Sequence, residues 1–396
     1  MQGNAVIGQS GGPTAVINQS LVGVIEGLRG TSGLEQVLGM RHGVRGLTTD
    51  QLTRLDTIAQ PQLDLIAATP SAALGSTRDK PDAAYCERIL AGCKKHNVRW
   101  FFYIGGNDSS DTCRIVNDLA RSSNYDMHCF HVPKTIDNDL MKNDHTPGYA
   151  SAARYVAKAF MGDNLDNASI PGIKINVVMG RHAGFLTAAA ALGRAHADDG
   201  PHIVCLPERT FDMDAFTARV EQCVKQFGRC QIALSEGVQD KDGNAIGATL
   251  IKGETDAHGN VQLSGSGALG DQMAEVLKKR LTPAGGKAPR VRADTLGYPQ
   301  RCYPDASPID QSEARAAGRF AAELAKKGER DGSIAIVRKS DAPYASDTVR
   351  VELTDVAAKT RHMPDDFLDG DFNVSKKFIN WLTPLVGNMP KMGRVS

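Results

Sequence analysis

Short apolar runs separated by helical stretches are the feature of this sequence that most constrains its fold. Continuous apolar runs of this length are typical of strands buried on both faces, and their alternation with helices favours parallel sheets built from strand–helix–strand units. The sequence therefore predicts an α/β fold. The predicted strands are Ala5–Gly8, Val98–Ile104, Ile173–Val178, Ile203–Leu206, Ile232–Ser235 and Ser333–Val337, and the helices include Val16–Leu28, Ser151–Phe160, Leu186–Leu192 and Ser312–Lys326.

Length and charge narrow the possibilities further. A chain of 396 residues is too long for one small core, so we expect two lobes with a cleft between them. The 46 basic and 45 acidic residues nearly cancel, which leaves no overall field to recruit nucleic acid or a membrane surface. The Gly- and Asp-rich stretches Gln239–Gly247 and Glu254–Gly259 predict surface turns.

The N-terminal segment and the spacing of the cysteines indicate the cellular compartment of the protein. The opening segment Met1–Gly8 has no basic stretch followed by an apolar core, and no later run approaches the length of a membrane span. The eight cysteines form no C-x-x-C pair and no regular disulfide spacing, which fits reduced thiols and disfavours a zinc site. We therefore expect a cytoplasmic protein with no membrane partner.

Two glycine-rich turns follow predicted strands and lead into helices, at Gly8–Ala15 and Gly105–Thr112. Such turns leave backbone N–H groups and the positive end of a helix facing outward, an arrangement that suits a phosphate. The alternative is a tight turn without a ligand at the first site, with Asp108 and Ser109 serving only as N-caps at the second.

The loop His131–Asp139 carries the richest chemistry. It brings Lys134, Asp137 and Asp139 together directly after a third short strand. One carboxylate can accept the proton of an attacking hydroxyl, the other can ligate Mg²⁺, and the lysine can neutralise a departing phosphate. An Asp-rich solvated turn with a surface lysine is the alternative interpretation.

Two further segments present arginines. Met179–Gly184 ends a predicted strand and places Arg181 where its planar fork can meet a phosphoryl group. The extended segment Arg290–Arg301 carries three arginines and Tyr298, a pattern able to clamp a sugar phosphate. Surface arginines paired with acidic neighbours remain the alternative.

Taken in this order, the segments resemble the phosphofructokinase family from Ala5 to about Ser312. The elements that carry the resemblance are G-G-x-x-S at Gly105–Ser109, P-x-T-I-D-N-D at Pro133–Asp139, M-G-R at Met179–Arg181 and L-G-x-x-Q-R at Leu296–Arg301. The resemblance implies two Rossmann-like three-layer α/β/α lobes with the active site in the cleft between them. It also implies a phosphate-donor lobe of residues 1–150 with about 300–350, and a fructose 6-phosphate lobe of about 151–299 with 351–396.

The resemblance also implies roles for single residues. Asp137 matches the catalytic base for the sugar 1-hydroxyl, and Asp139 matches a companion at the metal. Arg181 matches a group that stabilises the transferred phosphoryl. The matched sugar-binding residues are Thr135, Ile136, Asp137, Met179, Gly180, Arg181, Glu236, Arg292, Tyr298 and Arg301, and the matched donor-binding residues are Gly11, Gly12, Arg78, Asp108 and Lys134. Because the matched arginine at 292 reaches the 6-phosphate across a subunit boundary, the resemblance implies a homodimer or homotetramer with shared active sites.

The donor is indicated by departures from the ATP-using members, which carry glycine where this chain has Asp108 and Lys134. A carboxylate at 108 would fill the space of the α-phosphate of ATP and repel its charge, at high cost in a poorly solvated cleft. A lysine at 134 offers a cation to a leaving group that has no adenosine to anchor it. Asp108, Lys134, Asp137 and Arg181 are therefore the predicted catalytic set of the pyrophosphate-dependent branch.

Magnesium is the predicted cofactor, with Asn107 and Asp139 as its ligands. Many family members carry Asp where this chain has Asn107, and a neutral amide is the weaker ligand, so the substrate oxygens are expected to hold much of the metal. The alternatives left open are an ATP-dependent phosphofructokinase, a related NAD kinase and a silent sugar-phosphate-binding regulatory subunit. The segments around Arg181 and Tyr298 disfavour the NAD kinase, and retention of the charged residues disfavours the silent subunit.

Overall fold

The computed structural model describes residues 1–250 and 267–394. The chain divides into two compact units, here called unit 1 (Met1–Ala152 and Arg301–Arg361) and unit 2 (Ala153–Gln300 and His362–Ser396). The predicted turn at Glu254–Gly259 lies outside the described residues, whereas the one at Gln239–Gly247 contains a turn closed by the Gly243 N–H, which donates to the Asp240 carbonyl. The assignment of donor and sugar to the two units stays a prediction.

The strands of the described residues are numbered in chain order. They are β1 (Gly3–Gln9), β2 (Leu34–Met40), β3 (Leu52–Arg54), β4 (Val98–Gly105), β5 (His128–Pro133), β6 (Ile173–Val178), β7 (Ile203–Cys205), β8 (Cys230–Ser235), β9 (Val291–Thr295), β10 (Asp331–Asp341) and β11 (Tyr344–Val351).

The helices are numbered in the same way. They are α1 (Ile17–Leu28), α2 (Val44–Thr48), α3 (Gln60–Ala68), α4 (Ala83–Lys95), α5 (Asn107–Ser122), α6 (Tyr149–Ser169), α7 (Phe185–Ala188), α8 (Met213–Phe227), α9 (Ile246–Leu250), α10 (Ala268–Leu281), α11 (Pro299–Cys302), α12 (Pro308–Lys326), α13 (Leu353–Val356) and α14 (Lys376–Val386), with short 3₁₀ turns at Ala189–Gly193 and Asp365–Phe367.

Unit 1 is built on one sheet of seven described strands in the order β11-β10-β5-β4-β1-β2-β3. The strands from β10 to β2 pair in parallel, and the edge strands β11 and β3 are antiparallel to their neighbours. The carboxyl ends of β1, β4 and β5 therefore meet at one edge of the sheet. The glycine turns and the loop after Pro133 all begin at that edge, where ligands of open parallel sheets collect.

Both faces of this sheet are covered, and β4 shows why. Its alternate side chains Trp100, Phe102 and Ile104 join a core with α1, α3 and α12, whereas Phe101 and Tyr103 join a second core with α2, α4 and α5. A strand with large apolar side chains on both faces has to be sandwiched between helices. Unit 1 is therefore a three-layer α/β/α structure, which confirms the predicted fold class.

Unit 2 contains a smaller parallel sheet in the order β7-β8-β6-β9. Its strands bury Ile175, Ile232 and their apolar neighbours against α8 and α10. The observed bounds of β6 coincide with the predicted Ile173–Val178. Within the described residues, no helix combines the length and the apolarity that crossing a bilayer requires.

Candidate active site

The first glycine turn of unit 1 is tied to a second loop. Gly11 has φ +76°, a left-handed conformation that glycine adopts without strain. Its N–H donates to the carbonyl of Thr77 over 2.9 Å, and the hydroxyl of Ser76 donates to the carbonyl of Gly11 over 2.5 Å. The exposed Arg78 follows directly. The two predicted donor-binding segments therefore lie together.

Lys134 lies against this glycine turn. Its ammonium donates to the carbonyl of Gly12 over 2.7 Å, and a Cβ added to Gly11 would lie 3.1 Å from Nζ. Only 3% of the residue is exposed. Burial, reinforced by Arg301 and Arg78, lowers the pKa of Lys134 to about 7, although nearby carboxylates oppose the shift. An anion bound beside Lys134 would compensate the positive charge of its buried ammonium group.

Arg301 lies beside the same turn. A Cβ added to Gly12 would lie 3.0 Å from its Nε, so the bare backbone of Gly11 and Gly12 leaves room for two cations. Arg301 was predicted to grip the sugar 6-phosphate together with Tyr298. The structure puts Arg301 in unit 1, next to a predicted donor residue, and its sugar-binding role stays a prediction.

The loop after β5 holds its carboxylates in a folded turn. The N–H of Asp137 donates to Oγ1 of Thr135 over 3.1 Å, and the next residue, Asn138, is fully buried with φ +59°. Ile136 is also buried. Asp137 and Asp139 are each half-buried, so the turn presents two carboxylates rather than dispersing them into solvent. The alternative of a solvated turn is wrong for this loop.

Asp139 and Asn107 form the predicted metal site. Burial, followed by the repulsion of Asp137, raises the pKa of Asp139 to about 7. The Asn107 amide donates to the Asp139 carboxylate over 2.9 Å, and its Oδ1 is buried without a hydrogen-bond partner. An orphaned carbonyl oxygen beside a destabilised carboxylate fits a hard cation such as Mg²⁺. No cluster of three or more His, Cys, Asp or Glu in residues 1–250 and 267–394 is arranged for a metal, so substrate oxygens would complete the shell.

Asp108 lies in the first turn of α5, whose N-cap is Gly106, so the interpretation of Asp108 and Ser109 as N-caps is wrong. The Asp108 side chain is 64% exposed and lies 3.2 Å from Nζ of Lys80. The premise of a poorly solvated position is therefore wrong for this structure, and solvent and Lys80 both screen its charge. Lys80 was missed because no spacing in the sequence connects it to Asp108.

The predicted sugar-side residues of unit 2 begin at the end of β6. Met179 is buried, and its N–H donates to Oε1 of Gln300 over 3.2 Å. Gly180 has φ +128°, and its carbonyl accepts from the Ser235 hydroxyl over 2.7 Å. The M-G-R turn is thus attached to the end of β8.

Arg181 and Glu236 form the charged pair of this region. Nε of Arg181 lies 3.8 Å from Oε1 of Glu236, and the side chains are 34% and 6% exposed. A Cβ added to Gly237 would lie 2.1 Å from the Arg181 carbonyl, so glycine at that position permits the close approach of the two turns. The structure therefore brings together the predicted residues Arg181 and Glu236.

Glu208 supports the M-G-R turn and was missed in the sequence. Its Oε1 accepts from the N–H of Gly184 over 2.8 Å and from the N–H of Met363 over 3.1 Å. Burial raises its pKa. The role of Glu208 could not be predicted from the sequence, because no local motif connects it with Gly184 and Met363.

Tyr298 and Arg292 are the exposed members of the predicted sugar site. Tyr298 is 52% exposed, and Arg292 is exposed with one guanidinium N–H donating to the carbonyl of Val291 over 3.1 Å. Both lie in unit 2. Arg292 is consistent with a role toward another subunit, which stays a prediction.

Glycine turns, a paired-carboxylate loop and a buried lysine on a doubly covered parallel sheet define a phosphotransferase of the phosphofructokinase type. The family model described as Phosphofructokinase matches residues 4–325. The chain belongs to the phosphofructokinase family.

Particular relatives are closely similar over the whole length. The chain is 50% identical to the pyrophosphate–fructose 6-phosphate 1-phosphotransferase of Rhodospirillum rubrum, covering 100% of this chain and 97% of the relative. It is 39% identical to the enzyme of the same name from Xanthomonas campestris, covering 97% and 91%. The crystal structure of pyrophosphate-dependent phosphofructokinase from Nitrosospira multiformis is similar with a TM-score of 0.85 and 33% identity, covering 99% of this chain and 94% of that chain.

Proposed function

We propose that this protein is a pyrophosphate-dependent 6-phosphofructokinase. It transfers a phosphoryl group from pyrophosphate to the 1-hydroxyl of fructose 6-phosphate and releases inorganic phosphate, and it runs in both the glycolytic and gluconeogenic directions. The observation that carries the proposal is the buried Lys134 ammonium held 2.7 Å from the Gly12 carbonyl. A cation fixed on a glycine turn, where ATP-using members have glycine, supports a small, highly charged donor.

The transfer proceeds in one step. The Asp137 carboxylate accepts the proton of the 1-hydroxyl while that oxygen attacks the terminal phosphorus of pyrophosphate and the phosphoanhydride bond breaks. Lys134 stabilises the departing phosphate, and Arg181 stabilises the charge on the transferred group. No covalent enzyme intermediate is required, because the acceptor oxygen is the nucleophile.

Asp139 and Asn107 would hold Mg²⁺, with the remaining ligands supplied by the substrates and water. When bound, the ion neutralises charge on the pyrophosphate oxygens. The unpartnered Oδ1 of Asn107 supports this assignment.

Sugar recognition is assigned to three groups of residues. Thr135 and Ile136 adjoin the base, and Met179, Gly180, Arg181 and Glu236 form the unit 2 group that receives the sugar. Tyr298, Arg301 and Arg292 take the 6-phosphate, with Arg292 acting from a second copy of the chain in a homodimer or homotetramer. The cytoplasmic location belongs to the same proposal, because phosphorylated sugars are processed there.

The test compares turnover with pyrophosphate and with ATP in the wild type, Asp108→Gly and Asp108→Asn, using fructose 6-phosphate and Mg²⁺. We expect fructose 1,6-bisphosphate from pyrophosphate alone in the wild type, and weak ATP use in Asp108→Gly, because the exposed position leaves volume rather than charge as the main obstacle. Since Asp108→Asn removes the charge and keeps the volume, ATP use in that variant assigns the exclusion to charge, and its absence assigns it to volume.

Wild-type turnover with ATP alone would overturn the donor assignment and favour the ATP-dependent alternative. Turnover with neither donor would overturn the enzyme proposal and favour a sugar-phosphate-binding regulatory subunit.

A further inference from the structure

A buried charged cluster lies at the far end of the loop that carries the catalytic carboxylates. His145 is its centre and is completely buried. Its Nδ1 lies 2.8 Å from the Asp144 carboxylate, and its Nε2 lies 2.6 Å from the Glu313 carboxylate on α12. Both ring nitrogens face acceptors, so the arrangement is satisfied only when the ring is a cation that donates twice.

The two carboxylates are held in turn by the hairpin of β10 and β11. Glu313 accepts from the hydroxyls of Tyr344 and Ser346, each over 2.5 Å. Asp144 accepts from Nε of Arg338 over 3.1 Å. The loop, helix α12 and the hairpin therefore share one network in which every buried charge has an opposite partner, the arrangement that makes burial of ions tolerable.

Backbone bonds reinforce this attachment. The N–H of Asp144 donates to the carbonyl of Ile336 over 2.8 Å, and the N–H of Ile336 donates to Oδ1 of Asn143 over 2.9 Å. Arg361 donates from its guanidinium to the carbonyl of Asp144 and from its N–H to the carbonyl of Asp139, each over 2.7 Å. Arg361 thus contacts the loop at two points, Asp139 and Asp144.

A short hydrogen-bonded path leads from His145 to the proposed base. The next residue, Thr146, donates from Oγ1 to the carbonyl of Thr135 over 2.9 Å, and the N–H of Thr135 donates to the carbonyl of Pro147 over 3.2 Å. Oγ1 of Thr135 in turn accepts from the N–H of Asp137. The segment after His145 therefore fixes the turn that presents Asp137.

We propose that His145 is a positioning residue, which with Glu313 and Asp144 holds the loop 134–148 in the geometry that phosphoryl transfer needs. The inference rests on the proposed function, since it assigns the reaction to Asp137. His145 touches no reacting atom in this scheme. It acts by fixing the loop whose other end carries out the proton transfer, where small displacements are costly.

The electrostatics agree with an anchor that is charged at neutral pH. Although burial lowers it, the hydrogen bonds that the ring donates to Asp144 and Glu313 raise the pKa of His145 to about 9. Because the folded value lies above the ordinary one, the stabilisation is complete below about pH 6.5 and is lost as pH rises through about 9. The titratable and charged groups facing the cluster are Asp144 in the loop, Tyr149 on α6, Asp310 and Glu313 on α12, Arg338 and Tyr344 on the hairpin, and Arg361.

The test compares His145→Gln with His128→Gln in the full-length protein. His128 is the first residue of β5, at the opposite end of the strand from the loop, and is 9% exposed, so it is a matched buried control. We expect His145→Gln to lower kcat about 50-fold with KM for fructose 6-phosphate changed less than about threefold, because the base is displaced while most of the proposed sugar-binding residues lie outside the loop. His128→Gln should change kcat less than about twofold, whatever its effect on Tm.

Two further readouts separate positioning from mere stability. Hydrogen exchange of peptides covering 134–148 should be faster in His145→Gln than in the wild type or His128→Gln. The NMR titration midpoint of the His145 ring should move to lower pH in Glu313→Gln, since loss of a carboxylate lowers the pKa of His145.

Equal kcat in the two histidine variants would overturn the proposal, as would unchanged exchange of the loop in His145→Gln or an unmoved His145 titration midpoint in Glu313→Gln. A wild type without turnover would defeat the proposed function instead, and the exchange comparison would still decide whether His145 anchors the loop.

Discussion

Two residues of the predicted site, Lys134 in unit 1 and Tyr298 in unit 2, lie in opposite surroundings. Lys134 is 3% exposed and held by a backbone carbonyl, whereas Tyr298 is 52% exposed. Arg292 is likewise exposed. A buried charge has its geometry fixed at the cost of desolvation, whereas an exposed side chain is less confined by its surroundings. We therefore expect larger effects from substitutions at the buried or half-buried positions of unit 1 than at the exposed positions of unit 2.

The largest effect that sharpens this contrast is expected from Asp137→Asn in unit 1. Removal of a general base typically costs 10² to 10⁴, so kcat should fall about 10³-fold with fructose 6-phosphate binding retained. Steady-state kinetics and calorimetric sugar binding measure both quantities. Asp118→Asn, on the exposed side of α5, is the control and should leave kcat unchanged. A loss of less than tenfold would remove Asp137 from the role of base.

An intermediate effect is expected from Lys134→Met. Loss of a charged hydrogen bond to phosphate should raise KM for pyrophosphate about 100-fold. Because the substitution replaces a buried cation with an apolar chain of similar length, Tm should stay equal or rise. Lys95→Met, which removes an exposed lysine paired with Asp50, is the control for kinetics. An unchanged KM together with a lower Tm would break the comparison, because Lys134 would then be structural.

The smallest effect is expected from Tyr298→Phe in unit 2. An exposed hydroxyl bonded to a phosphate contributes about 1 kcal/mol, so KM for fructose 6-phosphate should rise about fivefold while kcat changes less than about twofold. Tyr303→Phe is the matched control, because Tyr303 is 47% exposed. A large fall in kcat for Tyr298→Phe would show that this region also is organised for the chemical step.

The sequence predicted secondary structure best where the pattern that indicates it is local. The short apolar-rich segment Ile173–Val178 located β6 with its observed bounds, although Lys174 and Asn176 interrupt its apolar residues. Helix α12 begins at Pro308 rather than Ser312, because Ser307 caps it and proline is accepted in its first turn. The hairpin of β10 and β11 extends past the predicted Ser333–Val337, because its outer half is exposed and lacks an apolar run.

In the candidate site too, the residues that could be predicted are those that lie close together in the sequence. Lys134, Asp137 and Asp139 were predicted because they share one short loop. Glu313 could not be connected with His145, because the two are 168 residues apart in the chain and only the fold joins them. The exposure of Asp108 and its pairing with Lys80 were equally beyond the sequence, since solvation depends on neighbours that no spacing records.

The near-neutral pKa of Lys134, about 7, has a consequence for how the donor loop handles protons. Burial lowers the pKa of Lys134 and so weakens the hold of the free protein on the ammonium proton. A polyanion stabilises the ammonium form, so each binding event draws a fraction of a proton from solution, and each departure returns it. Each catalytic cycle would thus be accompanied by uptake and release of a fraction of a proton at Lys134, in addition to the phosphoryl transfer.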